Sequence, residues 1–145
     1  MQTPIQFYKT HLDLYKKELS QLDKETYKEQ IEASKNTVKA IEKDLSNDGL
    51  LYRYQNKDDF GLPSSSFTIC TFWFINSLYK IGEEEKAKAM FDKLLSYSNH
   101  LGLFSEDIDF KTKRLLGNFP QAYSHLALIE TAINLSNVTT DEKVK

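Results

Sequence analysis

The amino-acid sequence predicts an all-α fold, with about five helices arranged as stacked helical hairpins. Apolar residues recur at three- and four-residue steps in several segments, which is the pattern of amphipathic helices. One central segment is apolar nearly all round, and this is typical of a helix that is buried between neighbours. Fully buried and one-sided helices alternate along the chain, so we expect the helices to form two concentric layers.

The N-terminal segment is predicted to be a helical hairpin over residues 3–45. Thr3-Pro4-Ile5-Gln6 has the form of a capping box with proline at the first helical position. A second helix is predicted from about Lys24 to Leu45, and Asn47-Asp48-Gly49 is a turn signal that ends it. A coiled-coil hairpin explains the same pattern equally well. The apolar stripe of the first helix consists of Ile5, Tyr8, Leu12, Tyr15, Leu19 and Leu22.

A buried helix is predicted over Phe67–Ile81, after a short extended run at Leu50–Tyr54 and a loop over residues 57–66. Ser66 stands where a hydroxyl group commonly caps a helix N-terminus. Because the helix lacks a polar face, its side chains are expected to pack in the core, and this includes Trp73.

An outer helix is predicted next, with its apolar side chains along one stripe. Gly82 is expected to end the buried helix in the left-handed conformation. Glu83-Glu84-Glu85 then complements the exposed N–H groups in the first turn of the outer helix. The stripe consists of Ala87, Met90, Phe91, Leu94 and Leu95.

The C-terminal part is predicted to combine an irregular stretch with a fifth helix. Residues 101–116 show no helical period, and Lys111-Thr112-Lys113 predicts the turn of a small hairpin. Asn118 precedes the fifth helix, and Pro120 is predicted in its first turn. The polar tail from Asn137 is expected to fray. The inward-facing residues of the helix are predicted to be Ala122, Leu126, Ile129 and Ile133.

Composition and charge exclude several classes of function. The chain has 145 residues, predicted as a single domain over 1–145, and its net charge of −2 offers no basic surface to a nucleic acid. The N-terminus lacks a basic region before an apolar stretch, and no apolar run approaches the ~20 residues that span a bilayer. We therefore expect a cytoplasmic protein without nucleic-acid or membrane partners. Because Cys70 is the single cysteine and neither a phosphate loop nor metal-ligand spacing is present, we expect no cofactor and no metal.

Three acids on one loop are the candidate catalytic groups. Glu106, Asp107 and Asp109 lie close together, next to the N-terminus of the predicted fifth helix. Loops on a rigid scaffold often carry catalytic groups, although most acids on loops are simply solvated. The residue types alone therefore favour a solvated loop over a carboxylate site.

The segments around these acids contain distinctive strings of residues. They are Gly102-Leu103-Phe104-Ser105-Glu106 and Gly117-Asn118-Phe119-Pro120-Gln121-Ala122-Tyr123-Ser124-His125. Both resemble signatures of glycoside hydrolase family fifteen, which is the glucoamylase group with related trehalose- and glucan-cleaving enzymes. Further segments resemble the family in the same order, and the resemblance covers residues 41–135. These segments are Asp48–Tyr54, Gly61-Leu62-Pro63, Phe67–Trp73 and Gly82–Leu95.

The resemblance implies a partial (α/α)6 toroid from an enzyme that cleaves α-glucosidic bonds with inversion. Such an enzyme uses one carboxyl group to protonate the leaving oxygen and a second, about 6.5–9.5 Å away, to activate water. Glu106 stands at the family's base position. Asp107 and Asp109 are neighbours whose charge can tune or orient the base. The partner implied by the resemblance is an α-glucan or another α-glucoside.

The resemblance also implies residues that bind the sugar. Gln121 and His125 lie near a helix N-terminus that faces the same cleft, where they are expected to bind sugar hydroxyls or to hold the loop. For His125, a buried and hydrogen-bonded core histidine is the favoured alternative. Tyr123 and Trp73 are candidates for stacking on a sugar face, although core packing is favoured for Trp73.

The chain departs from the family pattern in three ways. The family's general acid lies upstream of its base, in a part of the toroid that we do not find here, and the complete barrel needs more helices than the five predicted. Ser64-Ser65-Ser66 stands where many relatives have an acidic residue, a glycine and a small hydroxyl residue. Each positioned acid or base typically contributes about 10²–10⁴-fold to the rate. We therefore expect little or no hydrolysis by this truncated chain alone.

Three interpretations of the chain follow. It is an enzyme piece that needs a complementary polypeptide to supply the remaining helices and the acid. Alternatively, it is a non-catalytic remnant that binds glucans or merely persists as a folded domain. The third interpretation is a helical interaction module. Because aromatic helix faces without neighbours are sticky, we also expect self-association into a homo-oligomer.

Overall fold

The computed structural model describes residues 28–59 and 61–136. Helix α1 covers residues 28–45. The other helices of the described part are α2 at Thr68–Lys80, α3 at Glu84–Leu95 and α4 at Ala122–Leu135. No helix in this part of the chain has the length and apolar character needed to span a bilayer.

Contacts divide the chain into one unit over Met1–Asn36 and another over Thr37–Lys145. The described residues of the first unit, 28–36, are helical. The predicted first helix and the tail from Asn137 lie outside the described residues. The N-terminal hairpin over 3–45 and the single domain over the whole chain therefore stay predictions.

Strands β1 (Ser46–Asn47) and β2 (Leu50–Leu51) form an antiparallel hairpin directly after α1. Its two-residue turn consists of Asp48 and Gly49, whose φ angles of +53° and +77° both lie in the left-handed region. An Asp-Gly pair with two positive φ angles is typical of a type I′ hairpin turn. The turn predicted at these residues is therefore confirmed.

A second antiparallel sheet has the strand order β3–β4–β5, where β3 is Ser65–Phe67, β4 is Asp107–Asp109 and β5 is Leu115–Leu116. Ser66 pairs with Ile108 in the middle of this sheet, and both residues are fully buried. The connection from β4 to β5 contains Lys111-Thr112-Lys113, so the predicted small hairpin is confirmed.

The prediction of an all-α fold is not confirmed, because the described part of the chain combines helices with these two small sheets. Each strand contains only two or three residues. A run of that length cannot show the alternation over about four to eight residues that predicts a strand. The arrangement of about five helices in stacked hairpins stays a prediction.

Helix α2 lies at the centre of the packing, where it contacts α3, α4, β2 and β3. Its residues Phe72, Ile75 and Leu78 are each at most 2 % exposed, which confirms that neighbours surround most of this helix. Trp73 is 50 % exposed, so the assignment of its side chain to the core is wrong. The packed elements do not cover the whole circumference of α2, and Trp73 lines an open groove together with Ile41 and other residues.

The outer position of α3 is confirmed by its burial pattern. Ala87 and Leu94 are buried, and the other three residues of the predicted stripe pack against the core from partly exposed positions. Glu84 and Glu85 occupy the first turn, where their carboxylates complement the free N–H groups of the helix.

The C-terminal end of α2 is capped by Gly82, which has a φ angle of +89°. Its N–H group donates to the carbonyl oxygen of Tyr79 at 3.0 Å. The N–H group of Glu83 donates to the carbonyl oxygen of Leu78 at 2.9 Å. These two hydrogen bonds form a Schellman motif. The cap predicted at Gly82 is therefore confirmed.

The N-terminal cap predicted at Ser66 is wrong. Phe67 occupies the N-cap position of α2, and no side chain caps the helix there. The Ser66 hydroxyl instead donates to the carbonyl oxygen of Ile108 at 3.1 Å, between the paired strands β3 and β4. The hydroxyl therefore bonds within the second sheet and not to the N-terminus of α2. The pairing of β3 with β4 was not predicted.

Helix α4 packs with the face opposite to the one predicted. Leu126, Ile129 and Ile133 are 65 %, 55 % and 48 % exposed, and Ala122 is exposed as well. The buried residues of the helix are instead Ser124, Ala127 and Thr131. Small side chains allow α4 to approach α2 closely, and a hydrogen bond from Asn76 Nδ2 to Thr131 Oγ1 at 3.0 Å joins the two helices. The spacing of apolar residues in the sequence shows neither the close packing of small side chains nor the hydrogen bond between the helices.

The start of α4 also differs from the prediction. Gln121 is the N-cap and Ala122 is the first helical residue, so Pro120 precedes the helix and does not lie in its first turn. The peptide bond between Phe119 and Pro120 is cis. The segment before the helix is a loop, and it holds part of the candidate site.

Candidate active site

The two segments with distinctive residue strings are hydrogen-bonded to each other. The carbonyl oxygen of Phe104 accepts the N–H of Gln121 at 2.9 Å, and that of Ser105 accepts the Ser124 hydroxyl at 3.0 Å. The N–H of Glu106 also donates to the second segment, where it bonds to the carbonyl oxygen of Asn118 at 2.9 Å. The loop that carries Glu106 is therefore fixed against the start of α4.

The Glu106 carboxylate is held on one oxygen. Oε2 accepts the backbone N–H of Asn118 at 3.2 Å and its side-chain Nδ2 at 2.8 Å. Among the described residues, no hydrogen bond reaches Oε1 of Glu106. The carboxylate is thus oriented while one oxygen stays available to a water molecule or a ligand.

Gly117 leaves room for this carboxylate. A Cβ atom at position 117 would lie 3.0 Å from Oε2 and 3.1 Å from Cβ of Glu106. Gly117 also has a φ angle of +75°, a conformation that side-chain-bearing residues rarely adopt. Both the close approach and the backbone conformation therefore favour glycine at this position.

Glu106 and Asp107 line one cavity of about 180 Å³. Its other lining residues come from the segment after β2 and from the region of β3, and they are Arg53, Tyr54, Pro63, Ser65 and Phe67. The guanidinium carbon of Arg53 lies 5.4 Å from the centroid of the Phe67 ring, within the range of a cation–π contact. The cavity therefore combines two carboxylates, one cation and aromatic surface.

The sequence did not identify Arg53, Tyr54, Ser65 or Phe67 as site residues. A signal was present, because all four lie in or beside segments that resemble the family. Tyr54 donates a hydrogen bond to Asp58, and this bond is the main cause that raises the pKa of the Tyr54 hydroxyl. The hydroxyl is protonated at neutral pH, as that of an unperturbed tyrosine is, and the bond to Asp58 strengthens this preference.

Asp107 is half-buried beside Glu106. Burial raises the pKa of its carboxyl group, and the negative charge of Glu106 adds to this increase. The Ser65 hydroxyl opposes the increase by donating a 2.6 Å hydrogen bond to Asp107 Oδ2.

Asp109 does not line the cavity. Its Oδ1 accepts hydrogen bonds from the N–H groups of Lys111 and Thr112 and from the Thr112 hydroxyl, which shape the turn between β4 and β5. The bond from the Thr112 backbone is the main cause that lowers the pKa of Asp109. Within the described part of the chain, Asp109 supports the hairpin.

The other predicted binding residues lie along the start of α4, and none of them lines the cavity among the described residues. His125 is half-buried, with Nδ1 2.7 Å from the Gln121 carbonyl oxygen and Nε2 accepting the Phe104 N–H at 3.3 Å. A neutral imidazole protonated on Nδ1 satisfies both contacts. Tyr123 is 64 % exposed. Sugar binding by Gln121, Tyr123 and His125 stays a prediction.

No metal centre is apparent in the described residues, since no three His, Cys, Asp or Glu side chains converge there. Cys70 is partly buried, and desolvation is the main cause that raises the pKa of its thiol. A thiol with a raised pKa is a poor nucleophile at neutral pH.

Comparison with known protein families shows to which family the chain belongs. The family model described as "Glycosyl hydrolases family 15" matches residues 13–133. The chain belongs to this family. The match begins well before residue 41, so it includes part of the segment predicted as an N-terminal hairpin.

Known relatives of this family 15 chain include several trehalases. That of Mycobacterium tuberculosis is 44 % identical over 104 residues, which are 70 % of this chain and 15 % of the relative. That of Mycolicibacterium smegmatis is 45 % identical over 102 residues, 68 % of this chain and 15 % of the relative. That of Thermoplasma acidophilum is 46 % identical over 101 residues, 68 % of this chain and 17 % of the relative. The chain thus spans less than a fifth of the length of these proteins, and no solved structure matches it.

Proposed function

We propose that this chain carries the water-activating part of an inverting α-glucosidase site, within a partial (α/α)6 toroid. The observation that supports the proposal best is the Glu106 carboxylate, which Asn118 holds on Oε2 while Oε1 accepts no hydrogen bond in the described part. The relatives named trehalases support trehalose or a similar α-glucoside as the substrate.

Glu106 acts as the general base in this proposal. Its Oε1 accepts a proton from a water molecule, the water oxygen bonds to the anomeric carbon, and the glucosidic C–O bond breaks on the opposite side. The leaving oxygen takes a proton from a general acid that is not among the candidate residues of this chain. The products are two sugars, and the configuration at the anomeric carbon is inverted.

The polar residues of the cavity bind sugar hydroxyls in this proposal. Arg53 supplies donors that cannot be deprotonated at neutral pH, and Tyr54 supplies a hydroxyl group. Asp107 supplies an acceptor held by Ser65. Gln121 and Tyr123 extend the binding surface toward α4, while His125 holds the Phe104–Gln121 contact.

The chain alone is expected to hydrolyse little or nothing, because a base without its acid loses about 10²–10⁴-fold of the acid–base contribution. Activity then requires a complementary polypeptide that carries the acid. The experiment is to mix this chain with a family 15 trehalase from which the region matching this chain has been removed. Glucose release from trehalose is measured for the mixture and for each component.

The expected result is glucose release by the mixture only. Replacing Glu106→Gln should reduce this release at least about 100-fold, because the proton acceptor is lost. Glu85→Gln is the matched control, since this side chain is 94 % exposed on α3, and it should leave the rate unchanged. Equal rates with Glu106→Gln and the parent chain would exclude Glu106 as the base.

Carbohydrate binding without hydrolysis is the second candidate function. The half-exposed Trp73 favours it, because Trp73 lines an open groove together with Arg53, which also lines the cavity of Glu106. Trp73 is the single tryptophan of the chain, so its fluorescence reports on this groove alone. Titration with α-glucosides should change the fluorescence if the groove binds sugar, and an unchanged signal would remove this candidate.

A further inference from the structure

Phe104, two residues before Glu106, is held in place by both its side chain and its backbone. The side chain is fully buried, and its ring packs edge-to-face against that of Phe72 at a centroid distance of 5.4 Å. The backbone N–H donates to His125 Nε2 at 3.3 Å, and the carbonyl oxygen accepts the N–H of Gln121 at 2.9 Å. A shift of Phe104 would therefore reach Glu106 through a single intervening residue.

The bond from Phe104 to His125 is the one of these two that depends on a particular side chain. Gln121 contributes only its backbone N–H, which every residue except proline supplies. His125 contributes a ring nitrogen that accepts, so Nε2 carries no hydrogen. Its Nδ1 then carries the hydrogen and donates to the carbonyl oxygen of Gln121 at 2.7 Å. The two contacts thus specify one neutral tautomer of the imidazole.

We infer that His125 is a positioning residue for the Glu106 carboxylate and is not a ligand of the sugar. The inference rests on the proposed role of Glu106 as the general base. Both ring nitrogens of His125 are engaged by other residues of the chain, so neither is left to bind a sugar hydroxyl. Among the described residues, His125 also does not line the cavity of Glu106. It acts on the base through the backbone of Phe104.

Asn118 and His125 hold different parts of the same segment. Asn118 bonds to the N–H and the carboxylate of Glu106 itself, whereas His125 holds the chain two residues earlier. A misplacement of about 1 Å at a catalytic group lowers a rate by about 100-fold, even when the mutated residue lies away from the chemistry. Loss of the His125 contact should therefore lower kcat, and KM should stay nearly constant because His125 does not touch the sugar.

Two conservative variants separate the two bonds of His125. Glutamine places a carbonyl oxygen where Nε2 lies, so His125→Gln keeps an acceptor for the Phe104 N–H. Asparagine reaches only to the position of Nδ1, so His125→Asn keeps the bond to Gln121 and loses the bond to Phe104. Because each variant keeps one bond, the two should have similar free energies of unfolding in urea.

The activity test uses the mixture with the shortened family 15 trehalase. His125→Asn should lower kcat for trehalose about 100-fold while KM stays within about twofold, and His125→Gln should remain within about fivefold of the parent kcat. His100→Asn is the matched control, since His100 is exposed in the turn after α3, and it should leave both constants unchanged.

NMR spectroscopy of the full chain alone tests the geometry without a substrate. At neutral pH the ring nitrogen signals of His125 should show a hydrogen on Nδ1 and none on Nε2. The amide signal of Glu106 should shift in His125→Asn and stay near its parent position in His125→Gln and His100→Asn.

A hydrogen on Nε2 of His125 would overturn the inference, and so would equal kcat values for His125→Asn and His125→Gln. A raised KM with an unchanged kcat would also overturn it, because His125 would then be a sugar ligand. If no mixture releases glucose, the proposed function fails. The NMR signals of His125 and Glu106 then decide by themselves whether His125 positions the carboxylate.

Discussion

Asn118 contacts Glu106 through three hydrogen bonds. Its carbonyl oxygen accepts the Glu106 N–H, and its own N–H and Nδ2 both donate to Oε2 of the Glu106 carboxylate. The residue therefore fixes the backbone and the side chain of Glu106 together. Because Asn118 belongs to the loop that leads into α4, a displacement of that loop would move the carboxylate with it.

Replacing Asn118→Ala should lower the free energy of unfolding by about 1 kcal/mol, because a side-chain hydrogen bond to a charged group is lost while the backbone bonds remain. Asn118→Asp should lower it further at neutral pH, since a second carboxylate would face Oε2. Urea denaturation measures both changes. Asn56→Ala, at an exposed loop position, is the control and should have little effect. Equal stabilities for all three variants would show that Asn118 does not hold Glu106.

Gly117→Ala should destabilise the chain more than Gly102→Ala. Both glycines have a φ angle of +75°, so alanine meets the same backbone strain of about 1–2 kcal/mol at each. A Cβ atom at position 102 has open space, whereas at 117 it would lie within 3.1 Å of two Glu106 atoms. The difference in unfolding free energy between Gly117→Ala and Gly102→Ala measures the cost of crowding Glu106. Equal losses in urea denaturation would contradict the crowding seen at Gly117.

The sequence predicted the helical part of the fold where the local signals were strong. The α2 cap at Gly82, the stripe of α3 and the Asp48-Gly49 turn each depend on residues close together in the chain, and all three are as predicted. Glu106 and Asp107 were selected through a resemblance, and they line one cavity in the structure. Residue type alone had favoured solvated acids.

The remaining features depend on contacts between distant parts of the chain. Ser65 reaches the cavity because β3 pairs with β4 over an interval of about 40 residues, and strands this short leave no periodic signal. Helix α4 was assigned the wrong inward face because apolar periodicity assumes that large apolar residues are buried. In this helix the buried positions are occupied by the small residues Ser124, Ala127 and Thr131.

The stabilisation that Asp48 provides should decrease at acid pH and at high salt concentration. Hydrogen bonds and charge contacts with Lys93 and Lys113, at 2.7 and 3.0 Å, lower the pKa of Asp48 from 3.8 to about 2. A lowered pKa in the folded state means that the stabilisation is complete above pH 4 and is lost as the pH falls toward 2. Asp48→Asn keeps a residue that tolerates positive φ while it removes the charge.

The melting temperatures of the parent chain and of Asp48→Asn should therefore differ at pH 7 and converge near pH 2. The difference at pH 7 should also shrink in 1 M salt, because exposed ion pairs are screened. Glu32→Gln, at an exposed position within α1, is the control and should show no comparable dependence. A difference between parent and Asp48→Asn that is the same at both pH values would contradict the ion pairs.

Ser65→Ala should raise the pKa of Asp107. The hydroxyl of Ser65 stabilises the charged carboxylate through its 2.6 Å bond, and without it burial and the charge of Glu106 act unopposed. Titration of the side-chain carboxyl carbons by NMR measures the shift directly. Ser64→Ala is the matched control, because Ser64 is exposed and does not line the cavity. A pKa that stays constant or falls in Ser65→Ala would show that the hydroxyl does not control this carboxyl group.

Asn76 and Thr131 should be energetically coupled across the contact between α2 and α4. Asn76 is 5 % exposed and Thr131 is fully buried, and Asn76 Oδ1 also accepts Asn134 Nδ2 at 3.0 Å. Asn76→Ala should cost about 2–3 kcal/mol and Thr131→Val about 1–3 kcal/mol, because each leaves a buried polar partner without its bond. The double variant should cost less than the sum by at least about 0.5 kcal/mol.

The control for this cycle pairs Asn76→Ala with Ser96→Ala, which lies at the exposed end of α3. Their effects on the unfolding free energy should add within about 0.5 kcal/mol, since the two residues share no partner. Coupling between Asn76 and Thr131 would mean that this hydrogen bond helps to select the buried face of α4, with Leu126, Ile129 and Ile133 on the exposed side. Strict additivity would instead leave close packing of Ala127 and Ser124 as the cause of that orientation.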